Sequence, residues 1–421
     1  MLESLPRGKE WISWLYVAIW SLVIFATIPV ARVLQKFVVQ QWGRETFTYV
    51  VLVGILIAFG SSIFYLRRLR TASRSSYFWL FATATVFVGY TIHLRNAPEE
   101  AVHFLQYGLL GILTYRALAY RFHDVSIYFV AAIICGIIGM LDEIIQWLTP
   151  ARYWGLHDVW LNFVAGSLVQ IGIAKGLTPS IIPGMPSRRN LQVLCRLGMA
   201  AVVLMGFSLL NTPELIGWYA DRSPCLGFLK QNESVMAEYG YLYIDPDIGR
   251  FRSRFSPSEL RQSDRTRAQE AAEILDRYQI RDKYKYKEFL KIYTPVSDPF
   301  VHEAGVHLFR RDYFFRVSKS WIKNQEVYST YHLSIAFREN QIMETYFRNT
   351  LHHSAYVWSA EKFALAKKHL MHDKEYDSSV SKNLITRISM GQLGSFLILL
   401  IIGLALLHFY SGRSKSNCSS S

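Results

Sequence analysis

Long, uninterrupted apolar runs constrain this chain more than any other feature. Seven stand before Asn211, at Trp11–Val30, Thr48–Leu66, Tyr77–Leu94, Val102–Ala119, Ile127–Leu148, Asp158–Leu177 and Leu191–Leu210, and an eighth runs from Met390 to Tyr410. A hydrocarbon layer about 30 Å thick is crossed by roughly 20 apolar residues in helix. A surface helix of a water-soluble protein has one apolar face, whereas these runs are apolar all round, as lipid requires. They predict an all-α fold, a polytopic membrane helix bundle of about eight spans. The third and fourth runs are the most diluted, by Thr91, His93 and His103. The first is longer than a signal-peptide core, and Ala31-Arg32-Val33 beyond it is not a small-x-small cleavage site, so it is expected to stay as a helix.

Between the seventh and eighth runs the composition changes. Residues 212–385 are polar, aromatic and charged and are expected to form a mainly helical domain. The expected division is therefore 1–211 for a seven-span membrane domain, 212–385 for that domain, 386–410 for a last transmembrane helix and 411–421 for a disordered cytoplasmic tail. The net charge is +14, but 212–385 holds 26 Lys+Arg against 23 Asp+Glu, so most of the excess lies beside the spans. That distribution argues for membrane topology and against a nucleic-acid partner. Lys and Arg concentrate in short cytoplasmic loops. With the N-terminus inside, fourteen fall on the inner side, and five, Arg32, Lys36, Arg44, Arg95 and Arg152, fall outside. This bias predicts cytoplasmic termini and an extracytoplasmic 212–385 segment. Of Cys135, Cys195, Cys225 and Cys418 only Cys225 lies in that segment, which excludes an internal disulfide framework there.

Polar residues within membrane spans are costly and usually face a protein interior or a cavity. Here they gather. Glu99, His103 and Tyr107 recur every four residues at the start of the fourth run, a spacing that puts them on one helix face. The fifth run ends with Asp142, Glu143 and Gln146, a loop carries Arg152, and the sixth run opens with Asp158 and Asn162. By the predicted topology all three faces meet at the outer leaflet, with Arg152 and His103 as the natural partners of Asp142. Glycines at 108, 111, 136, 139 and 166 suit close helix packing. Three readings are open: a buried structural network, a site for a lipid headgroup or other ligand, and a catalytic site.

The order His103, Tyr107, Gly108, Leu110, Gly111, then Asp142, Glu143, Gln146, then Pro150, Arg152, then Asp158, Asn162, Gly166 resembles the VanZ-like family of bacterial membrane proteins. The resemblance covers residues ~50–175. It implies an α-helical, multi-pass protein of the bacterial cell envelope, in the inner membrane. The family's namesake is linked to low-level resistance to teicoplanin-type glycopeptide antibiotics. This chain departs from the smallest members by adding the 212–385 domain and a final span.

In that domain Ser256-Pro257-Ser258-Glu259 is a capping box with proline at the first helical position. It predicts a polar helix to about Tyr278, and Ser359 predicts a second start leading to Leu370. Asp245 to Gly249 reads as a turn. The abundant Tyr and Phe suit a core, with surplus aromatics that suit a membrane surface or sugar rings. His302-Glu303-Ala304-Gly305-Val306-His307 resembles the zincin motif, but its histidines are five residues apart and diverge by about 140° on a helix. His352-His353 reads as a loop. No phosphate-binding loop, GxSxG elbow or repeat is present.

The sequence therefore points first to a non-enzymatic envelope protein, with membrane lipids and an envelope glycan or protein as partners and with neither cofactor nor metal. The rivals are an enzyme acting on a lipid-linked headgroup, with Glu143 or His103 as acid/base and Arg152 holding phosphate, and a lipid transporter or scramblase. The inner ends of the same helices carry few polar residues, which counts against a path across the membrane.

Overall fold

Helix is the only way for a lone segment to satisfy its backbone in lipid, and helices account for 73% of the chain. The computed structural model describes residues 9–69, 73–150, 152–178, 182, 184–232, 235–322, 325–371 and 375–413. Ala151 and residues 414–421 lie outside them; of the 411–421 tail expected to be disordered, Ser411 to Arg413 instead end the last helix. The chain divides into two compact units, Met1–Ser208 with Ser395–Ser421, and Leu209–Gly394.

The first unit contains α1 (Glu10–Thr27), α2 (Ala31–Trp42), α3 (Thr46–Leu69), α4 (Arg74–His93), α5 (Val102–Leu118), α6 (Ser126–Trp147), α7 (Leu156–Ile171, continued by a π-turn to Leu177) and α8 (Arg188–Leu209). The last helix, α17, spans Met390–Arg413 and belongs to this unit from Ser395. Among the described residues seven helices are long and apolar enough to cross a membrane: α1, α3, α4, α6, α7, α8 and α17. The expected fourth span is α5, which has only 17 residues. It is also heavily buried, from Phe104 to Leu118, so neighbouring helices shield it from lipid. The sequence reading has no counterpart for α2. Gln35 and Lys36 interrupt its apolar residues, so it does not register as a span, and Val33 and Leu34 are 71% and 54% exposed. Such a composition suits a helix lying along an interface.

The inner helices approach closely where the sequence has glycine. A Cβ at Gly166 would lie 2.6 Å from Cys135 Cβ, and one at Gly139 2.7 Å from Asn162 Cβ. Elsewhere α8 and α17 pair antiparallel, with Gly198 against Leu404, Gly206 against Leu397, and Gln192 Nε2 donating to the His408 carbonyl at 3.4 Å.

The second unit opens with α9 (Pro213–Arg222) and a 3-10 segment (Pro224–Gln231). Hairpin β1 (Tyr241–Asp245) and β2 (Gly249–Ser253) follows. The turn expected at Asp245–Gly249 joins those strands, with Asp245 Oδ1 accepting from the Asp247 and Ile248 amides at 2.9 and 3.1 Å and Gly249 at φ 108°. Then come α10 (Pro257–Thr266), α11 (Ala268–Arg277), α12 (Lys283–Ile292), α13 (Pro299–Val317), the short hairpin β3 (Lys319–Ile322) and β4 (Gln325–Tyr328), α14 (Thr330–Tyr346), α15 (Arg348–His353) and α16 (Ala360–Lys368).

The Ser256 capping box is present, and Ser359 caps α16. The helix begun at Ser256 does not run unbroken to Tyr278. It breaks at Arg267, whose guanidinium forks onto Asp298 at 3.0 and 2.6 Å and also reaches Glu270 at 2.9 Å. His352 and His353, expected in a loop, end α15 instead. His352 meets Glu344 at 3.1 Å, and His353 Nδ1 meets the carbonyl of Asn349, one turn back, at 2.7 Å.

The core is rich in aromatics, among them Phe251, Phe289, Phe300 and Phe347, around α13 and α14. His302 and His307 sit in α13 with different surroundings. Burial and the nearby Arg254 push His302 down to about 3, so it is neutral, while His307 Nδ1 meets Glu339 at 2.6 Å.

Candidate functional site

The clustered polar residues of the first unit are positioned by helix register. Gly166 faces Cys135 and Gly139 faces Asn162, so α6 and α7 run antiparallel, and the next turn brings Glu143 to Asp158. Asp158 does lie within electrostatic reach of Glu143. α5 runs parallel to α7: Gly111 packs on Gly166 and Gln170, Gln170 Nε2 donates to the Gly111 carbonyl at 3.0 Å, and at the leading ends Glu100 Oε2 lies 3.7 Å from His157 Nδ1. The start of α5, the end of α6 and the start of α7 therefore meet at one end of the bundle.

Two linked hydrogen-bond sets occupy that end. Tyr107 Oη donates to Asp142 Oδ2 at 3.0 Å. Glu143, wholly buried, accepts from Gln146 Nε2 at 2.7 Å and from the Gly155 amide at 2.9 Å. Arg152 Nη2 donates to Gln146 Oε1. His103 stacks on Tyr107, with ring centroids 6.2 Å apart, and its buried Nδ1 has no partner among the described residues. Asn162 is 0% exposed, and neither of its amide atoms has a partner among the described residues.

Eight of the nine candidates thus gather here, and one expectation is corrected. Glu99 does not share a face with His103 and Tyr107. α5 begins only at Val102, and Glu99 turns away to Arg44, at 2.7 and 3.1 Å, and to Gln35 of α2, at 3.0 Å. Asp142 takes its hydrogen bond from Tyr107, with His103 and Arg152 within electrostatic reach of it, and Arg152 reaches Glu143 by hydrogen bond only through Gln146.

Three participants were not singled out from the sequence. Gly155 supplies a backbone donor, and a Cβ there would lie 2.7 Å from Asp158 Oδ2. Glu100 and His157 join Asp158, with one ligand atom from each within 4.8 Å of the others. Such a trio can hold a divalent cation, whose bonds to nitrogen and oxygen are about 2.0–2.6 Å. Burial, and then the adjacent Asp158, raise Glu100 above the ordinary carboxyl range. Only the neighbouring pairs Glu99-Glu100 and His157-Asp158 pointed to these residues, and adjacency does not say which member turns inward.

No family model, no curated protein and no solved structure matches this chain. What the site can do must be read from its own chemistry. Four carboxylates, Glu100, Asp142, Glu143 and Asp158, stand with one arginine and two histidines, His103 and His157. The arginine donates to Gln146 through Nη2, and its buried Nε has no partner among the described residues. Such a site offers acceptors in excess and suits a ligand rich in donors or carrying positive charge.

Proposed function

We propose that this chain is a VanZ-like protein of the bacterial cell envelope. Its polar site at the shared end of α5, α6 and α7 binds a lipid or lipid-linked headgroup without catalysing a reaction. Asn162 carries this reading. A network that only locked helices together would satisfy its own polar groups, and a buried amide with both ends unpaired costs about 1–3 kcal/mol for each group left unsatisfied. A headgroup with hydroxyl or ammonium donors would pair the amide oxygen and suit the surplus of carboxylates.

The test is Asn162→Leu. Because the native amide has no partner among the described residues, an apolar residue of similar size should leave the melting temperature in detergent unchanged or raise it. Native mass spectrometry should show lipid bound to the purified wild type and lost from the variant. Lipid retained at the wild-type ratio would defeat the reading, as would a variant that melts early and keeps its lipid.

Fourteen Lys/Arg on one side of the spans against five on the other support placing the site at the outer leaflet and residues 212–385 outside. A phosphatase reporter fused after Ser320 is expected to be active and one fused after Arg188 silent. The opposite pattern would put the site on the cytoplasmic side.

A further inference from the structure

The second unit holds a cavity of about 340 Å³ that the membrane site does not use. The hairpin turn at Asp245 and Asp247, the second half of α14 with Asn340, Gln341 and Glu344, and Phe363 of α16 form its walls. Small-ligand pockets start at roughly this size.

Its polar groups are built in rather than scattered. Asn340 is 0% exposed, and its Oδ1 accepts from Arg311 Nη1 at 2.9 Å. A guanidinium only donates, so the atom facing it must be the oxygen, and Nδ2 is left as a buried donor. Nδ2 has no acceptor among the described residues, and Gln341 Oε1, also buried, has no donor. Native proteins rarely leave such groups unpaired without a reason.

The carboxylates differ in what they have left to offer. Asp245 is used up by two amides of its turn and by Tyr346 Oη at 3.1 Å. Glu344 is engaged by His352 at 3.1 Å. Neither carboxylate oxygen of Asp247 has a hydrogen-bond partner among the described residues; its backbone carbonyl accepts from Arg338, whose charge lies within electrostatic reach of the carboxylate. Three carboxylates and no Lys or Arg line the cavity, so it favours neutral or positively charged ligands over anions. The apolar wall is Phe363, 38% exposed and backed by buried Phe337, their ring centroids 5.3 Å apart.

We infer that this cavity binds a non-anionic sugar ring, neutral or amine-bearing. A pyranose hydroxyl both donates and accepts, so it can answer the Asn340 donor and the Gln341 and Asp247 acceptors together, which a bare ammonium cannot. The C–H face of the ring would lie on the electron-rich face of Phe363.

The full chain in detergent micelles is titrated with glucosamine, with the trimer of N-acetylglucosamine and with glucuronate, with saturation followed by ligand-observed NMR. Glucosamine and the trimer are expected to saturate, with glucuronate at least about tenfold weaker because its carboxylate meets the acidic lining. Phe363→Ala should weaken sugar binding roughly threefold to tenfold, the range for losing one aromatic contact. Asp247→Asn, which preserves shape, should also weaken glucosamine and narrow the gap to glucuronate. A trimer that binds more tightly than the single ring assigns a glycan chain as the source, and equal binding assigns a free sugar; both support the site. The inference is overturned if neither sugar saturates, if both variants bind as the wild type does, or if glucuronate binds as tightly as glucosamine. None of these outcomes bears on lipid at Asn162, which lies in the other unit.

Discussion

Gln146→Leu is expected to destabilise the purified protein more than Arg152→Ala does, although Arg152 carries the charge. Gln146 is the relay: its amide donates to Glu143 at 2.7 Å and its carbonyl oxygen accepts from Arg152. Leucine removes both contacts at once in a place where Glu143 is 0% and Gln146 7% exposed. Orphaning two buried partners costs about 1–3 kcal/mol for each. Arg152→Ala leaves only the Gln146 oxygen unpaired, at about 1–3 kcal/mol. Adding Glu143→Leu to Gln146→Leu should recover part of the loss, because apolar replacement of a buried polar set is often tolerated. Melting temperatures in one detergent decide the order. If Arg152→Ala is the more damaging, Arg152 pairs with a carboxylate directly and the relay is wrong.

In the second unit the largest single loss is expected from Glu339→Leu. This wholly buried carboxylate accepts from His307 Nδ1 at 2.6 Å, Arg310 Nε at 2.8 Å, Ser378 Oγ at 2.7 Å and the Tyr376 hydroxyl. Burial alone would raise its pKa, but His307, Arg310 and Tyr376 outweigh burial and hold it below the ordinary value. Removing it orphans four partners, for a cost again on the order of 3–5 kcal/mol. The pH dependence follows in sign. A folded-state pKa below the unfolded value of about 4.3 means the contribution is fully present above that pH. It is lost as pH falls through the folded value. Glu339→Gln keeps the shape but cannot titrate, so the gap in unfolding free energy between wild type and Glu339→Gln should narrow in acid. A gap that stays constant from neutral pH to below the unfolded value would show that Glu339 is not the ionised hub.

Some local features were legible because local rules set them. The Ser256 capping box and the Ser359 start depend on residues within one turn, and both caps are present. The end of the first of these helices was not legible. Arg267 breaks it while forking onto Asp298, 31 residues away, and the propensity of residues 267–278 carries no trace of that pairing. The same holds for α2. Its charges hid it from a reading tuned to spans, yet its Gln35 helps to draw Glu99 out of the cluster where four-residue spacing had placed it.

What the sequence determined by itself is the membrane-spanning character of the chain and the gathering of polar residues at three of its helix ends. Lipid imposes its requirement on each segment separately, so a run of apolar residues answers it without reference to any other part of the fold. What only the tertiary structure decided is who pairs with whom. Glu100 turns inward while Glu99 turns out, Gln146 stands between Glu143 and Arg152, and Asn162 is left with no partner among the described residues. A cavity in the second unit draws its walls from residues as far apart as Asp245 and Phe363. These outcomes depend on the register in which helices pack, set by close contacts such as Gly139 on Asn162 and Gly166 on Cys135, and a one-residue difference in that register exchanges one side chain for its neighbour.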